Sequence, residues 1–122
     1  MSASPSSGRR GLRHLALKTR DLRATERFYT DVLGLQIAFP HPGMIFLETP
    51  GGGDLLNFVK TRRPFDARAG GFGHFGLSVT PAGLRRLRAR LKQAGVPIRA
   101  RRGHTAVYVR DPNGYTVELY SD

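Results

Sequence analysis

The chain has 122 residues, with 20 Lys and Arg against 9 Asp and Glu, a formal charge of +11, 39% hydrophobic side chains, and no Cys or Trp. This length suits one domain that can bury a core without staples, and the lack of Cys excludes a disulfide framework, a thiolate metal site and a cysteine nucleophile. No apolar run approaches the ~20 residues of a membrane span, and the opening MSASPSSGRRG lacks the apolar stretch of a secretory signal. The expectation is a cytoplasmic domain, without a membrane partner, behind a short disordered lead-in over residues 1–10.

From residue 11 onward the chain repeats one layout. The first strand holds His14; alternation sets Leu15 and Leu17 on one side and His14 and Ala16 on the other. An amphipathic helix follows, with Asp21 to cap its start and Gly34 to end it. A short strand over 35–39 comes next, then MIFLE and LLNFVK as a strand pair joined by TPGGGD. After the linker PFDARAGG the pattern begins again. In GHFGLSV, Phe75, Leu77 and Val79 form the apolar side while His74, Gly76 and Ser78 face away. A second helix opens at Thr80-Pro81 and closes at Gly95. A short strand over 96–101 precedes AVYVR and YTVELY, joined by DPNG, whose composition is that of a turn. The chain reads as α+β, with two βαβββ modules at about 11–62 and 72–121 in one domain over 11–122.

The basic residues, 17 Arg and 3 Lys, are dispersed along the chain. In the densest run, GLRRLRARLKQAG, Leu84, Leu87 and Leu91 share one helical face and the Arg residues cover the others, as on a solvated helix. No aromatic platform interleaves with a basic stripe, which argues against a nucleic-acid partner. The summed field favours small anionic molecules instead.

The faces turned away from the helices carry the chemistry. Matching Pro50 with Pro112 across the two turns, with one extra residue in the first, makes Asn57 the counterpart of Glu118. His14 and His74 are counterparts sixty positions apart. Two imidazoles and one carboxylate on one sheet face form a 2-His-1-carboxylate set, which leaves about three positions open on an octahedral metal. Asn57 is a poor ligand for such an ion and is expected to line the pocket and bind substrate or water.

These segments, HLALKTRDLRATERFYTDVLGL, GHFGLSV and VYVRDPNGYTVELY, resemble the vicinal-oxygen-chelate superfamily, which includes glyoxalase I, extradiol dioxygenases, fosfomycin-resistance enzymes, methylmalonyl-CoA epimerase and bleomycin-binding proteins. The resemblance covers nearly all of residues 11–121. It implies paired modules curling into a cup around a divalent metal (Fe2+, Mn2+, Zn2+ or Ni2+), with the ligand positions falling on His14, His74 and Glu118. It also implies a homodimer whose active site draws ligands from one chain or from both.

Departures from the family patterns narrow the reaction. Glyoxalase I carries an acidic ligand where this chain has Asn57, and fosfomycin-modifying transferases carry Thr where it has Ala16. Bleomycin-binding proteins generally lack the metal ligands and offer an acidic groove, a poor match to +11. Extradiol dioxygenases place a Tyr before the final Glu, as Tyr108 stands here, and a His upstream of it, for which His104 is the nearest candidate though its spacing is short. Tyr108 alternates into the cup, where its phenol could hydrogen-bond a metal-bound oxygen or serve as a structural aromatic. Glu48 could face the cup as a general base, or pair with the Arg110 region, and Arg110 could clamp a substrate carboxylate or phosphate. The expected function is a metal-dependent enzyme for a small oxygen-chelating substrate, either a dioxygenase or an isomerase or lyase. The alternative is a protein that binds and sequesters such a molecule without catalysis.

Overall fold

The computed structural model describes residues 8–121. Residues 1–7 of the expected lead-in, and Asp122, lie outside the described residues. Strand β1 (His14–Thr19) leads into α1 (Leu22–Arg27), where the Asp21 carboxylate accepts the Ala24 N–H at 3.0 Å and so satisfies a free donor of the first turn. The helix then widens over Phe28–Val32, where the Leu33 N–H reaches back five residues to the Phe28 carbonyl at 3.1 Å. This wider turn buries Phe28 and Tyr29 side by side. Strands β2 (Gln36–Phe39), β3 (Met44–Glu48) and β4 (Leu55–Lys60) complete the first set. The second set is β5 (Phe75–Ser78), α2 (Pro81–Gln93), β6 (Ala100–Arg102), β7 (Ala106–Arg110) and β8 (Thr116–Tyr120).

The strands form two four-stranded mixed sheets with orders β1-β4-β3-β2 and β5-β8-β7-β6. In each, the strand before the helix runs parallel to the last strand of its set, and the remaining neighbours are antiparallel. The fold is α+β, built from paired βαβββ units. Register makes the pairing of positions explicit: Ala16 and Phe46 flank Asn57, and Gly76 and Tyr108 flank Glu118.

Two strand boundaries differ from expectation. His74 sits one residue ahead of β5 rather than within it. The sixth strand is only Ala100–Arg102, because the Val96 N–H bonds the Leu91 carbonyl at 2.9 Å to finish α2, and Pro97 has no N–H to offer a ladder. Val96 and Ile98 pack against the core instead.

One hydrophobic cluster runs through both sets, including Phe58 and Leu47 from the first and Leu91, Val107, Val117 and Leu119 from the second. The DPNG segment does more than turn. Its Asp111 accepts the Tyr29 hydroxyl at 2.7 Å, while Asn113 bonds Thr19 at 2.6 Å and Thr25 at 3.1 Å. The Tyr115 hydroxyl bonds the backbone of Lys18 through its N–H (3.1 Å) and carbonyl (3.0 Å). This hairpin end therefore ties the second sheet to β1 and α1 of the first. No helix among the described residues is long and apolar enough to cross a membrane.

Candidate active site

Alternation on β8 buries Val117 and Leu119 in the core and turns Glu118 to the opposite face. There its side chain, 11% exposed, meets His74 and Arg102 from neighbouring segments. One carboxylate oxygen, Oε1, lies 3.1 Å from His74 Nε2, and the other, Oε2, accepts a 2.7 Å bond from the Arg102 guanidinium. The bond from Arg102 holds the Glu118 carboxyl below the usual glutamate range against the opposing effect of burial, and the charges of Arg102 and His74 act in the same direction. Arg102 is pushed upward in turn, chiefly by its bond to Glu118, with Tyr108 acting in the same direction.

Tyr108 stands opposite Glu118 on β7, and its ring meets the His74 imidazole edge-on at 5.4 Å between centroids. At Gly76, on the other side of Glu118, a Cβ would approach the Tyr120 ring to 2.9 Å, so any side chain there would force that ring to shift. Gly76, Arg102, Glu118 and Tyr120 line an open cavity of about 310 Å³. A second cavity, of about 360 Å³, joins the two modules and is lined by His14, His74 and apolar neighbours that include Leu15 and Phe75.

The other sequence candidates fall elsewhere. Asn57 is buried and turns its amide to the Ile45 carbonyl at 3.2 Å. Glu48 accepts a bond from Gln36 at 2.8 Å and makes no ion pair with Arg110 among the described residues. Arg110 pairs with Thr116 at the far end of the β7–β8 ladder. His104 lies in the β6–β7 turn and lines a different cavity with Pro81, Leu84, Arg85 and Arg88, against α2 rather than beside Glu118. Sequence reasoning missed Arg102, hidden in an Arg99–Arg102 run that resembles surface charge, and missed the need for glycine at position 76.

The donor set can be tested against a divalent ion. Bonds of about 2.1 Å at near right angles set neighbouring ligand atoms roughly 3 Å apart, and the His74 and Glu118 atoms already stand at 3.1 Å. Imidazole nitrogen with carboxylate oxygen suits iron, manganese, zinc or nickel. A single chain assembles only this pair: among the described residues no three His, Asp or Glu side chains gather at one point.

Comparison with known proteins agrees with this architecture. Biphenyl-2,3-diol 1,2-dioxygenase 3 of Rhodococcus globerulus is 32% identical over 91% of this chain, which spans 63% of that protein's length. Glutathione transferase FosA of Serratia marcescens is 28% identical over 89% of this chain and 79% of its own. The crystal structure of a lactoylglutathione lyase from Agrobacterium tumefaciens superposes with a TM-score of 0.72 at 27% identity, over 93% of this chain and 95% of that one. Residues 11–119 match the Glyoxalase/Bleomycin resistance protein/Dioxygenase superfamily, and the chain belongs to it.

Proposed function

We propose that this protein is a cytoplasmic, divalent-metal-dependent enzyme that acts on a small anionic substrate through two neighbouring oxygens. In this reading it works as a homodimer, in which His14 of one copy completes the ligand pair His74 and Glu118 of the other. The observation that carries the proposal is the 3.1 Å approach of His74 Nε2 to Glu118 Oε1 on an open sheet face. A bound Fe2+, Mn2+, Zn2+ or Ni2+ would supply Lewis acidity to the substrate oxygens and, as iron, redox chemistry as well.

The chain's own residues do the rest. Tyr108, fixed by its edge contact with His74, donates its phenol O–H to a substrate oxygen. The +11 charge draws an anion toward the site, and Arg110, two residues along β7 from Tyr108 on the same strand face, would clamp its acidic group. Oxygen-dependent cleavage of a vicinal diol is the leading reaction, supported by Tyr108 beside His74 and by the Rhodococcus relative named for a diol. The second reading is isomerase or lyase chemistry, favoured by half-buried Glu48 at the position in the first sheet that Arg110 holds in the second, where it can move a proton.

The test is elemental analysis of protein purified without oxygen or chelator, wild type beside His14→Ala, His74→Ala and Glu118→Gln. Near-stoichiometric metal in the wild type and its loss from all three variants is the expected result. Iron together with oxygen uptake on catechol-type substrates selects the dioxygenase, and another metal without uptake selects the isomerase or lyase. A wild type that takes up no ion even on reconstitution overturns the enzyme reading in favour of a binding protein.

A further inference from the structure

The two oxygens of Glu118 stand in different surroundings. Oε1 faces His74 Nε2 at 3.1 Å, on the side where a metal would bind, and Oε2 is taken by Arg102 at 2.7 Å. Arg102 is itself held in place. Its backbone pairs with Ala106 in the β6–β7 ladder, just ahead of a tight turn in which Gly103 adopts φ +58°. Its second terminal nitrogen lies 3.5 Å from the Thr105 hydroxyl. The side chain is more than half exposed and lies outside the hydrophobic cluster, so its removal takes nothing from the core.

The first sheet offers an internal contrast. Asn57, the counterpart of Glu118, has no Arg on β2, whose sequence is QIAF, and bonds its own sheet's backbone. The arginine is thus a feature of the carboxylate position alone. A carboxylate can bind an ion with one oxygen or chelate it with both, and chelation uses one more coordination position. While Oε2 remains on Arg102, only Oε1 is free to bind.

Resting on the metal reading above, we propose that Arg102 is a positioning residue that restricts Glu118 to one-oxygen ligation and so keeps a coordination position open for the substrate. The partner of a ligating carboxylate fixes its orientation, and loss of such a partner commonly costs 10–100-fold in metal affinity. Arginine suits this task because its planar fork sets direction as well as charge.

The experiment uses the full chain with Mn2+ as the probe, comparing wild type, Arg102→Ala and Arg102→Lys by calorimetric titration. Infrared difference spectra of metal-loaded minus metal-free protein, with 13C-labelled glutamate, report the carboxylate mode, and the chain has only three Glu. Expected are about 10–100-fold weaker Mn2+ binding in Arg102→Ala and a narrower gap between the asymmetric and symmetric carboxylate stretches, as chelation produces. Arg102→Lys should recover most of the affinity and the wide gap. Wild-type-like or tighter binding by Arg102→Ala, or an unchanged gap, overturns the role of Arg102 while leaving the metal site standing. A wild type that binds no Mn2+ and none of the other three ions overturns the metal reading and this role with it.

Discussion

The two sheets share strand order and, across β1-β4-β3 and β5-β8-β7, register, yet their open faces hold opposite chemistry. Asn57 and Glu118 occupy the same register position, as do Phe46 and Tyr108, and Ala16 and Gly76. In the first sheet Phe46 stacks on Phe39 at 4.4 Å, and Asn57 is spent on the Ile45 carbonyl. In the second, Tyr108 braces His74, and Glu118 sits between His74 and Arg102. A repeated backbone supplies equivalent sockets, and a few side chains decide which one is reactive. A charge is tolerated at position 118 because the Arg102 guanidinium and the His74 imidazole both meet it, and position 57 has no such partners.

That difference can be broken at its sharpest point by Asn57→Glu. The new carboxylate would face the Ile45 carbonyl and Phe46 without a cation, at a position only 5% exposed. We expect a loss of about 3 kcal/mol at pH 8, seen as a fall of roughly 10 °C in Tm. The cost should shrink on acidification, because an unpaired buried carboxyl protonates more readily folded than unfolded. A loss below about 1 kcal/mol in urea unfolding at pH 8 would mean that the first sheet's face is as well solvated as the second's.

Much of this division was legible in the sequence, and the limits have physical causes. Period-two alternation assigns Glu118 and His74 to one side of the second sheet because their neighbours Val117, Leu119 and Phe75 must reach the core. Aligning the turns at Pro50 and Pro112 recovers the Asn57–Glu118 equivalence that the register displays. Arg102 was not legible: a three-residue strand after Pro97 gives no periodicity, and which Arg of the run joins Tyr108's face depends on the register of a hairpin turn. His104 illustrates the same gap, since nearness in sequence to Tyr108 does not carry it around the Gly103 turn to the same side. The DPNG segment was read as turn chemistry alone, because side-chain bonds spanning 82 to 94 residues leave no local pattern.

A second substitution sharpens the contrast between this buried link and the open site. Tyr29→Phe removes the 2.7 Å bond to Asp111 and leaves the shape of the core unchanged. A hydrogen bond to a charged acceptor of this kind contributes about 2 kcal/mol, so urea unfolding should show a loss near that value. Mn2+ affinity should stay as in the wild type, since no bond of Tyr29 reaches His74 or Glu118. A matching drop in metal binding would show that the link between the sheets also sets the geometry of the site.

The smallest effect separates the two carboxylates by pH. Burial raises the Asp111 carboxyl above its ordinary range, although bonds from Tyr29, Tyr115 and Asn113 oppose the shift, whereas Arg102 holds Glu118 below its own. In the window between Asp111's ordinary and raised values the folded chain binds more protons than the unfolded one, so this group's contribution to stability grows as pH falls. For Glu118 the unfolded chain binds more, and its contribution is present above the ordinary glutamate range and lost as pH falls through the lowered folded value. Stability measured across the acid range should therefore decline less steeply in Glu118→Gln than in the wild type, and more steeply in Asp111→Asn. The comparison rests on the slopes, because each substitution also changes stability at neutral pH by removing hydrogen bonds. Parallel slopes in all three proteins would mean that the opposite surroundings of the two carboxylates do not produce opposite proton affinities in solution.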